Sequence, residues 1–563
     1  MNKKFYLPIM ILAAIVSFSS CAKLKPLAED NIKVNPNPLE AVGGQVPVAI
    51  NATIPAKWFA KKAEVTVTPV LKYQGGEAKG TSYTFQGEKV KGNNPAVPYK
   101  EGGNLSMKSS FKYVPEMKKS ELYLVFEAKI GKKTVKLPDL KVADGVVATS
   151  ELATAENSTP AIAPDKFQRI TKDAHAANIM YLINQSLVRN NQMSSKEMSG
   201  WNEILKEAYS APNKNVDIEV QAYASPDGPT NFNTKLSQDR EKSANKELGK
   251  KLKKDKLDVD VTTRYTAEDW AGFKELVEKS NMQDKDLILR VLSMYSDSEQ
   301  RDAELHKMSS VFTYLAEEIL PQLRRSKLTA NIEIIGKSDE EIKSLAASNA
   351  RELNVEELLY AATLTSVLSE KAVIYGKAMD IYPNEFRGFN NAGMIKFQQG
   401  DLSGAESLFK QAAQKNSSAP EVNMNLGLIA LTKDDKAGAE QYFGKAAGTP
   451  ELGEALGILY IENGDYAKAA NSFGAAKTNN AAIAQILAKD YNKAQATLSG
   501  IAAPDALTSY LKAIVAARTN NQSGVISNLK DAIQKDASFK KEAAIDLEFA
   551  KFFANSEFAS LVK

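Results

Sequence analysis

"GMIKFQQGDLSGAESLFKQA", residues 393–412, returns along the chain at a fixed interval. Gly393 is matched by Gly427, Ala405 by Ala439, Phe409 by Phe443, and Ala378 by Ala412, each pair 34 residues apart. Gly457, Gly464-Asp465-Tyr466, Ala469, Phe473 and Ala476 repeat the template after a four-residue deletion. A period of this length, with small residues at some offsets and an aromatic at another, marks a helix–turn–helix unit. Gly and Ala let the two helices of a unit approach closely, and Phe fills the next interface. The copies at 480–500 and 506–535 are degenerate, and Phe389 in one copy becomes Asn423 in the next. The reading is three clear repeats and two or three weaker ones in an alanine-rich helical region, residues 354–563.

The offsets of Leu-Gly, Tyr, Ala, Phe and Ala resemble the tetratricopeptide repeat family. The resemblance implies an all-α solenoid whose concave face binds peptides or protein segments, so protein partners are expected there. A helical array serving only as a brace is the other reading of the same period.

Upstream, the chain begins with a short basic stretch, Met1–Lys4, and an apolar run, Phe5–Phe18, closed by Ser19-Ser20-Cys21. The run is too short to span a bilayer comfortably and has the layout of a signal peptide. Cys21 is the single cysteine of 563 residues and has no disulfide partner. Its position suits a bacterial lipoprotein signal, residues 1–20, with Cys21 acylated as the first mature residue. Several acyl chains would anchor the protein stably to the outer membrane. The stretch after Cys21 lacks an acidic run, which favours the periplasmic face. Lys+Arg of 72 against Asp+Glu of 68 leaves +4, no electrostatic footprint for nucleic acid.

Residues 21–37 are expected to be a tether, since Pro and Asn interrupt any periodicity. Residues 38–147 alternate with period two in six short segments: 45–55, 63–73, 82–87, 105–114, 121–130 and 133–142. That pattern predicts a β-sandwich, immunoglobulin-like in plan. Residues 147–164, "VATSELATAENSTPAIAP", are small, polar and Pro-containing, and are expected to be a linker.

Strands and helices alternate over residues 165–337, which predicts an α/β layer with helices on one face of a sheet. Expected strands are 178–186, 216–224, 257–265 and 328–336. Expected helices are 194–209, with Met198, Trp201, Leu205 and Ala208 on one face, and 233–254. A helical insertion occupies 266–327. Between strand and helix lies the turn Ser225-Pro226-Asp227-Gly228-Pro229. Asn233 is placed to cap the helix, whose N-terminal amides would favour an anion. Arg240 lies on the side of Leu236 and Ala244 and could hold a carboxylate bidentately.

This stretch resembles the peptidoglycan-binding C-terminal domain of the outer membrane protein A (OmpA-like) family. The family carries Gly-His-Thr-Asp in the turn, then Asn-x-x-Leu-Ser-x-x-Arg-Ala on the helix. Asn233, Leu236, Ser237 and Arg240 match at the right spacing, and Gly228 matches the turn glycine. The resemblance implies that Arg240 holds the carboxylate of the cell-wall diaminopimelate. Ser225 stands where the family's amine-holding Asp belongs, and Tyr223 where its His belongs; Asp227 could take over the amine or only shape the turn. The alternative for Arg240 is a salt bridge to Asp227 without any ligand.

Enzyme chemistry is not expected. His175 and His306 are the only histidines, Cys21 is assigned to lipidation, and no phosphate loop, nucleophile elbow or zinc motif is present. No metal or cofactor is expected. The composite reading is a periplasmic, outer-membrane-anchored lipoprotein that links peptidoglycan to protein partners. Its rival is an assembly scaffold for secretion, fimbria-like or outer-membrane machinery that does not bind the wall.

Overall fold

The computed structural model describes residues 27–563, which fall into two compact units: 27–164 together with 367–563, and 165–366. The leader, Cys21 and the start of the tether lie outside the described residues.

In the first unit two sheets share one core. The smaller has the order β1-β3-β8: β1 (Ile32–Asn35), β3 (Gln45–Ile54) and β8 (Gly103–Lys112). The larger has the order β10-β9-β4-β6-β7, with β4 (Ala63–Tyr73), β6 (Tyr83–Gly87), β7 (Ala96–Val97), β9 (Ser120–Ile130) and β10 (Lys133–Lys136). Short strands β5 (Gly76–Lys79) and β11 (Leu140–Asp144) pair with β4 and β9 in this sheet, while β2 (Leu39–Glu40) and β12 (Val146–Val147) pair with each other as a separate two-stranded sheet. Alternation sends Val46, Val48 and Ile50 of one sheet and Leu122, Leu124 and Phe126 of the other into a common apolar layer. Each such side chain contributes about 1.5–3 kcal/mol relative to exposure.

Two expectations change here. The tether ends early, because Ile32–Asn35 pairs with Ala49–Ala52 and Leu27 is buried in the core. The segment 133–142 is two strands rather than one, broken around Pro138, which has no N–H to give a ladder.

The array follows in the same unit. Helix pairs are α11/α12 (Phe386–Gln398, Leu402–Lys415), α13/α14 (Pro420–Leu431, Lys436–Phe443) and α15/α16 (Leu452–Glu462, Tyr466–Ser472). Then come α17/α18 (Asn479–Leu487, Tyr491–Ser499) and α19/α20 (Ala506–Arg518, Gln522–Lys535). The period has a steric cause. A Cβ on Gly393, Gly427 or Gly457 would lie 2.7, 2.3 or 2.5 Å from the ring of Phe409, Phe443 or Phe473. Except for α16, second helices begin on a side-chain cap: Asp401 accepts from Gly404 N–H, Asp435 from Gly438 N–H, and Asp490 from Lys493 N–H. The array starts at α10 (Leu368–Ile381), not at residue 354.

The second unit carries a four-stranded sheet of order β13-β16-β14-β15: β13 (Ile170–Met180), β14 (Lys214–Tyr223), β15 (Asp260–Thr266) and β16 (Arg325–Ile335). β14 and β15 run parallel; the other neighbours are antiparallel. Helices α1 (Lys196–Ser210) and α2 (Thr230–Asp255) share one face. Met198, Trp201 and Leu205 meet Ala244, Leu248, Ile218, Val220 and Leu328 there. The first strand covers 170–180 rather than 178–186. Its early residues, "ITKDAHA", lie mostly exposed and carry no apolar alternation. Helix α2 begins at Thr230 with Pro229 as its cap residue, so Asn233 sits inside the first turn and is not the cap.

The insertion folds on a core of its own, built from Phe273, Val277, Ile288 and Leu305 with Leu315, Ile319 and Leu323. Its helices are α3 (Trp270–Lys279), α4 (Lys285–Met294), α5 (Ser298–Lys307), α6 (Ser309–Tyr314) and α7 (Leu320–Leu323). Residues 338–366, with α8 (Asp339–Ser348) and α9 (Val355–Ala361), belong to this unit: Lys337 pairs with Glu357 at 3.0 Å, and Phe167 stacks on Tyr360.

Candidate functional site

The first helix of each array pair is unusually free of polar surface. Every residue from Val422 to Leu431 in α13 is buried, as is every residue from Asn480 to Ile486 in α17. A helix covered on all sides has something lying on its outer face. Here the cover is the chain's own segment 147–164, the expected linker.

The segment is held through its backbone. Asn391 Oδ1 accepts the Ala163 N–H at 2.9 Å and its Nδ2 donates to the Ala163 carbonyl at 2.9 Å. Asn425 does the same for Ala161, at 2.7 Å in both directions. Asn480 accepts the Thr154 N–H at 3.3 Å and donates to the Thr154 carbonyl at 2.9 Å. Asn390 adds a bond to the Ala161 carbonyl at 3.1 Å, and Arg387 one to the Pro164 carbonyl at 3.3 Å. A primary amide offers one acceptor and two donors, so it serves an extended residue as a neighbouring strand would.

These asparagines occupy one repeat position. Each stands two residues before the small residue of its helix: Gly393, Gly427 and Ala482. The third pair has Ala455 at that position, with no amide to offer, and there the segment turns instead, Ser158 N–H donating to the Ala155 carbonyl at 3.0 Å. Residue order along the segment is opposite to pair order along the array. Ala155, Ala161 and Ala163 face inward and are buried, while Glu156, Asn157, Thr159 and Ile162 are exposed. The asparagine-bearing face of α11, α13 and α17 is therefore already covered.

Beside the start of this segment lies a polar cavity of about 360 Å³, lined among others by Lys112, Tyr113, Glu156, Lys436 and Glu462. Burial, the largest effect, pushes the Glu462 carboxyl up to about 7; Lys436 pulls the other way, and Asp434, Glu151 and Glu156 add to the rise. Glu462 Oε2 has no hydrogen-bond partner.

The turn at 225–229 is arranged differently from the expectation. Ser225 Oγ donates to Asp227, and Asn233 Nδ2 donates to the carbonyls of Asp227 and Gly228 at 3.1 and 3.3 Å. The structure thus brings Ser225, Asp227 and Asn233 together but turns Arg240 away. Arg240 is 0% exposed. Its Nε donates to the Gln185 carbonyl at 3.0 Å, Nη1 to the Tyr223 carbonyl at 2.8 Å, and Nη2 to the Leu182 carbonyl at 3.4 Å. The guanidinium lies 5.0 Å from the centre of the Tyr181 ring. Burial lowers its pKa to about 10, leaving it charged at neutral pH. Asp227 is a weak electrostatic neighbour of Arg240, and no salt bridge joins the two among those of the described residues.

A residue of the insertion also reaches the turn. Asp302 Oδ2 accepts the Gly228 N–H at 3.3 Å, so a carboxylate of the insertion is bonded to the turn that precedes α2. Glu268 is also close, accepting from Thr230 at 2.9 Å. Burial, together with Asp227 and Glu268, raises the Asp302 pKa. Three carboxylates around one turn repel a carboxylate ligand. Among the described residues no group of His, Cys, Asp or Glu is arranged to hold a metal ion, and no helix is long and apolar enough to cross a membrane.

Residues 390–451 match the family model of the tetratricopeptide repeat. Among curated proteins no sequence matches this chain. Solved structures similar to it include a tetratricopeptide repeat protein from Parabacteroides merdae ATCC 43184, at 16% identity over 37% of this chain and 91% of that one, TM-score 0.29. The Cut9–Hcn1 hetero-tetramer of the APC/C is similar at 15% identity over 40% and 44%, TM-score 0.32. The pilF protein of Pseudomonas aeruginosa is similar at 14% identity over 40% and 98%, TM-score 0.26. Residues 390–451 are a tetratricopeptide-repeat stretch within an all-helical, tetratricopeptide-like C-terminal array.

Proposed function

We propose that this chain is a lipid-anchored assembly scaffold of the outer membrane, facing the periplasm, whose repeat array gathers protein partners. The observation that carries the reading is the asparagine ladder, Asn391, Asn425 and Asn480, which holds an extended polypeptide by its backbone. Anchoring through Cys21 is read from the leader alone.

Between the wall-linking and scaffold readings, the second unit favours the scaffold. Its OmpA-like turn has Ser225 in place of the family's Asp, its Arg240 donates to three backbone carbonyls, and Asp302 and Glu268 add negative charge beside Asp227. The α/β layer then serves as a protein surface rather than a peptidoglycan receptor.

The test is reversible crosslinking of the full chain in its membrane, followed by purification and by co-sedimentation with insoluble peptidoglycan. The scaffold reading expects defined protein partners and no pelleting with peptidoglycan. Pelleting with wall material and no recurrent protein partner contradicts it.

A further inference from the structure

We propose that the asparagine-lined face of the array is a receptor for an extended segment of another protein, and that residues 153–164 hold it closed until that segment displaces them. The inference rests on the scaffold reading above.

Recognition by Asn391, Asn425 and Asn480 uses only backbone N–H and C=O groups, which every extended polypeptide presents. Selection falls on size: Ala161 and Ala163 are 0% and 1% exposed, so the fitting partner carries small residues at alternate positions. The exposed side chains of Glu156, Asn157, Thr159 and Ile162 leave the outer edge of the groove unselective.

The internal segment is built in two separable stretches. The ladder lacks a rung at Ala455, and the segment turns there with Glu156 and Asn157 exposed. Upstream it is fixed by β12, which pairs with β2, and by Ser150 Oγ donating to the Ala41 carbonyl at 2.8 Å. A tethered ligand of this kind acts at an effective concentration on the order of millimolar. Against an internal contact of about micromolar strength, an external segment then binds roughly a thousandfold more weakly than it would to an open groove.

The probe is a fluorescent synthetic peptide of residues 152–165. The receptors are the full chain in detergent and the same chain with specific protease sites inserted both between Glu156 and Asn157 and between Pro164 and Asp165, before and after cutting, which together release residues 157–164. Cutting is expected to strengthen peptide binding by at least about a hundredfold. Asn391→Ala with Asn425→Ala in the cut chain is expected to remove that binding. A peptide with Ala161→Arg and Ala163→Arg is expected not to bind. Equal binding to cut and uncut chains overturns the proposal, as does no binding to a cut chain whose circular dichroism and melting are unchanged. Loss of helical signal on cutting also overturns it, since the segment would then be part of the core. In each of those cases, partners crosslinked to other surfaces leave the scaffold reading standing.

Discussion

Replacing Asn425 with alanine removes the most enclosed rung of the ladder. Asn425 is fully buried and bonds both the N–H and the carbonyl of Ala161 at 2.7 Å. The carbonyl keeps a second donor, Asn390 Nδ2 at 3.1 Å, but the Ala161 N–H is left without an acceptor. An orphaned buried donor costs about 1–3 kcal/mol, and the lost carbonyl bond adds about 0.5–1.5 kcal/mol. With partial compensation by Asn390, the local opening free energy of the segment should fall by about 2–3 kcal/mol. At 1.4 kcal/mol per decade, the Ala161 amide should exchange roughly 30- to 150-fold faster. The assay is hydrogen exchange on the full chain, read at single-amide resolution by electron-transfer fragmentation. The Ala163 amide, held by Asn391, is the internal comparison and should change less. An Ala161 amide that exchanges at the same rate in both proteins, or that is unprotected in the wild type, would mean that Asn425 does not hold the segment.

Three further outcomes follow from the same geometry. Gly427→Ala should cost about 1–3 kcal/mol in urea unfolding, because the new methyl meets the Phe443 ring at 2.3 Å and the pair must part. Arg240→Lys should cost about 2–4 kcal/mol while leaving behaviour toward peptidoglycan unchanged: it keeps the charge but strips donors from the buried carbonyls of Gln185, Tyr223 and Leu182. Glu462, with its carboxyl raised from 4.5 to about 7, stabilises the fold when protonated, and that contribution is lost as pH rises through this window. Glu462→Gln should therefore melt higher than wild type at pH 8 and flatten the decline between pH 5 and 8; the slope that remains belongs to groups such as Asp546, raised to about 6.

The array was legible because its packing is written in residue types. Gly393, Gly427 and Gly457 cannot be larger while Phe409, Phe443 and Phe473 stand against them, so the period survives in the sequence. The ladder was missed, although the same rule marks it: Asn391 and Asn425 are 34 residues apart, like the glycines, and α13 offers no polar face to solvent. The occupant was not legible. Segment 147–164 is small and polar like any linker, and what orders it is side-chain amides more than 200 residues away bonding to its backbone, which leaves no mark on composition. Arg240 was placed correctly on the buried side of α2. Its partners are main-chain carbonyls, and these have no residue type to read. Asp302 was hidden for another reason: it reaches the 225–229 turn from an insertion that folds on its own core. Strand β13 was misplaced because its first half lies mostly exposed, so the apolar residues at its end drew the boundary forward.

The most direct test of the covered array face is photocrosslinking from within the segment. Ile162, exposed between the two clamped alanines, is replaced by p-benzoylphenylalanine in the purified full chain, and the products are mapped by mass spectrometry. An intramolecular crosslink to peptides from α11 or α13 is expected, weakened by Asn391→Ala with Asn425→Ala. Crosslinks confined to other parts of the chain, or none at all in a protein whose array is folded, would contradict it.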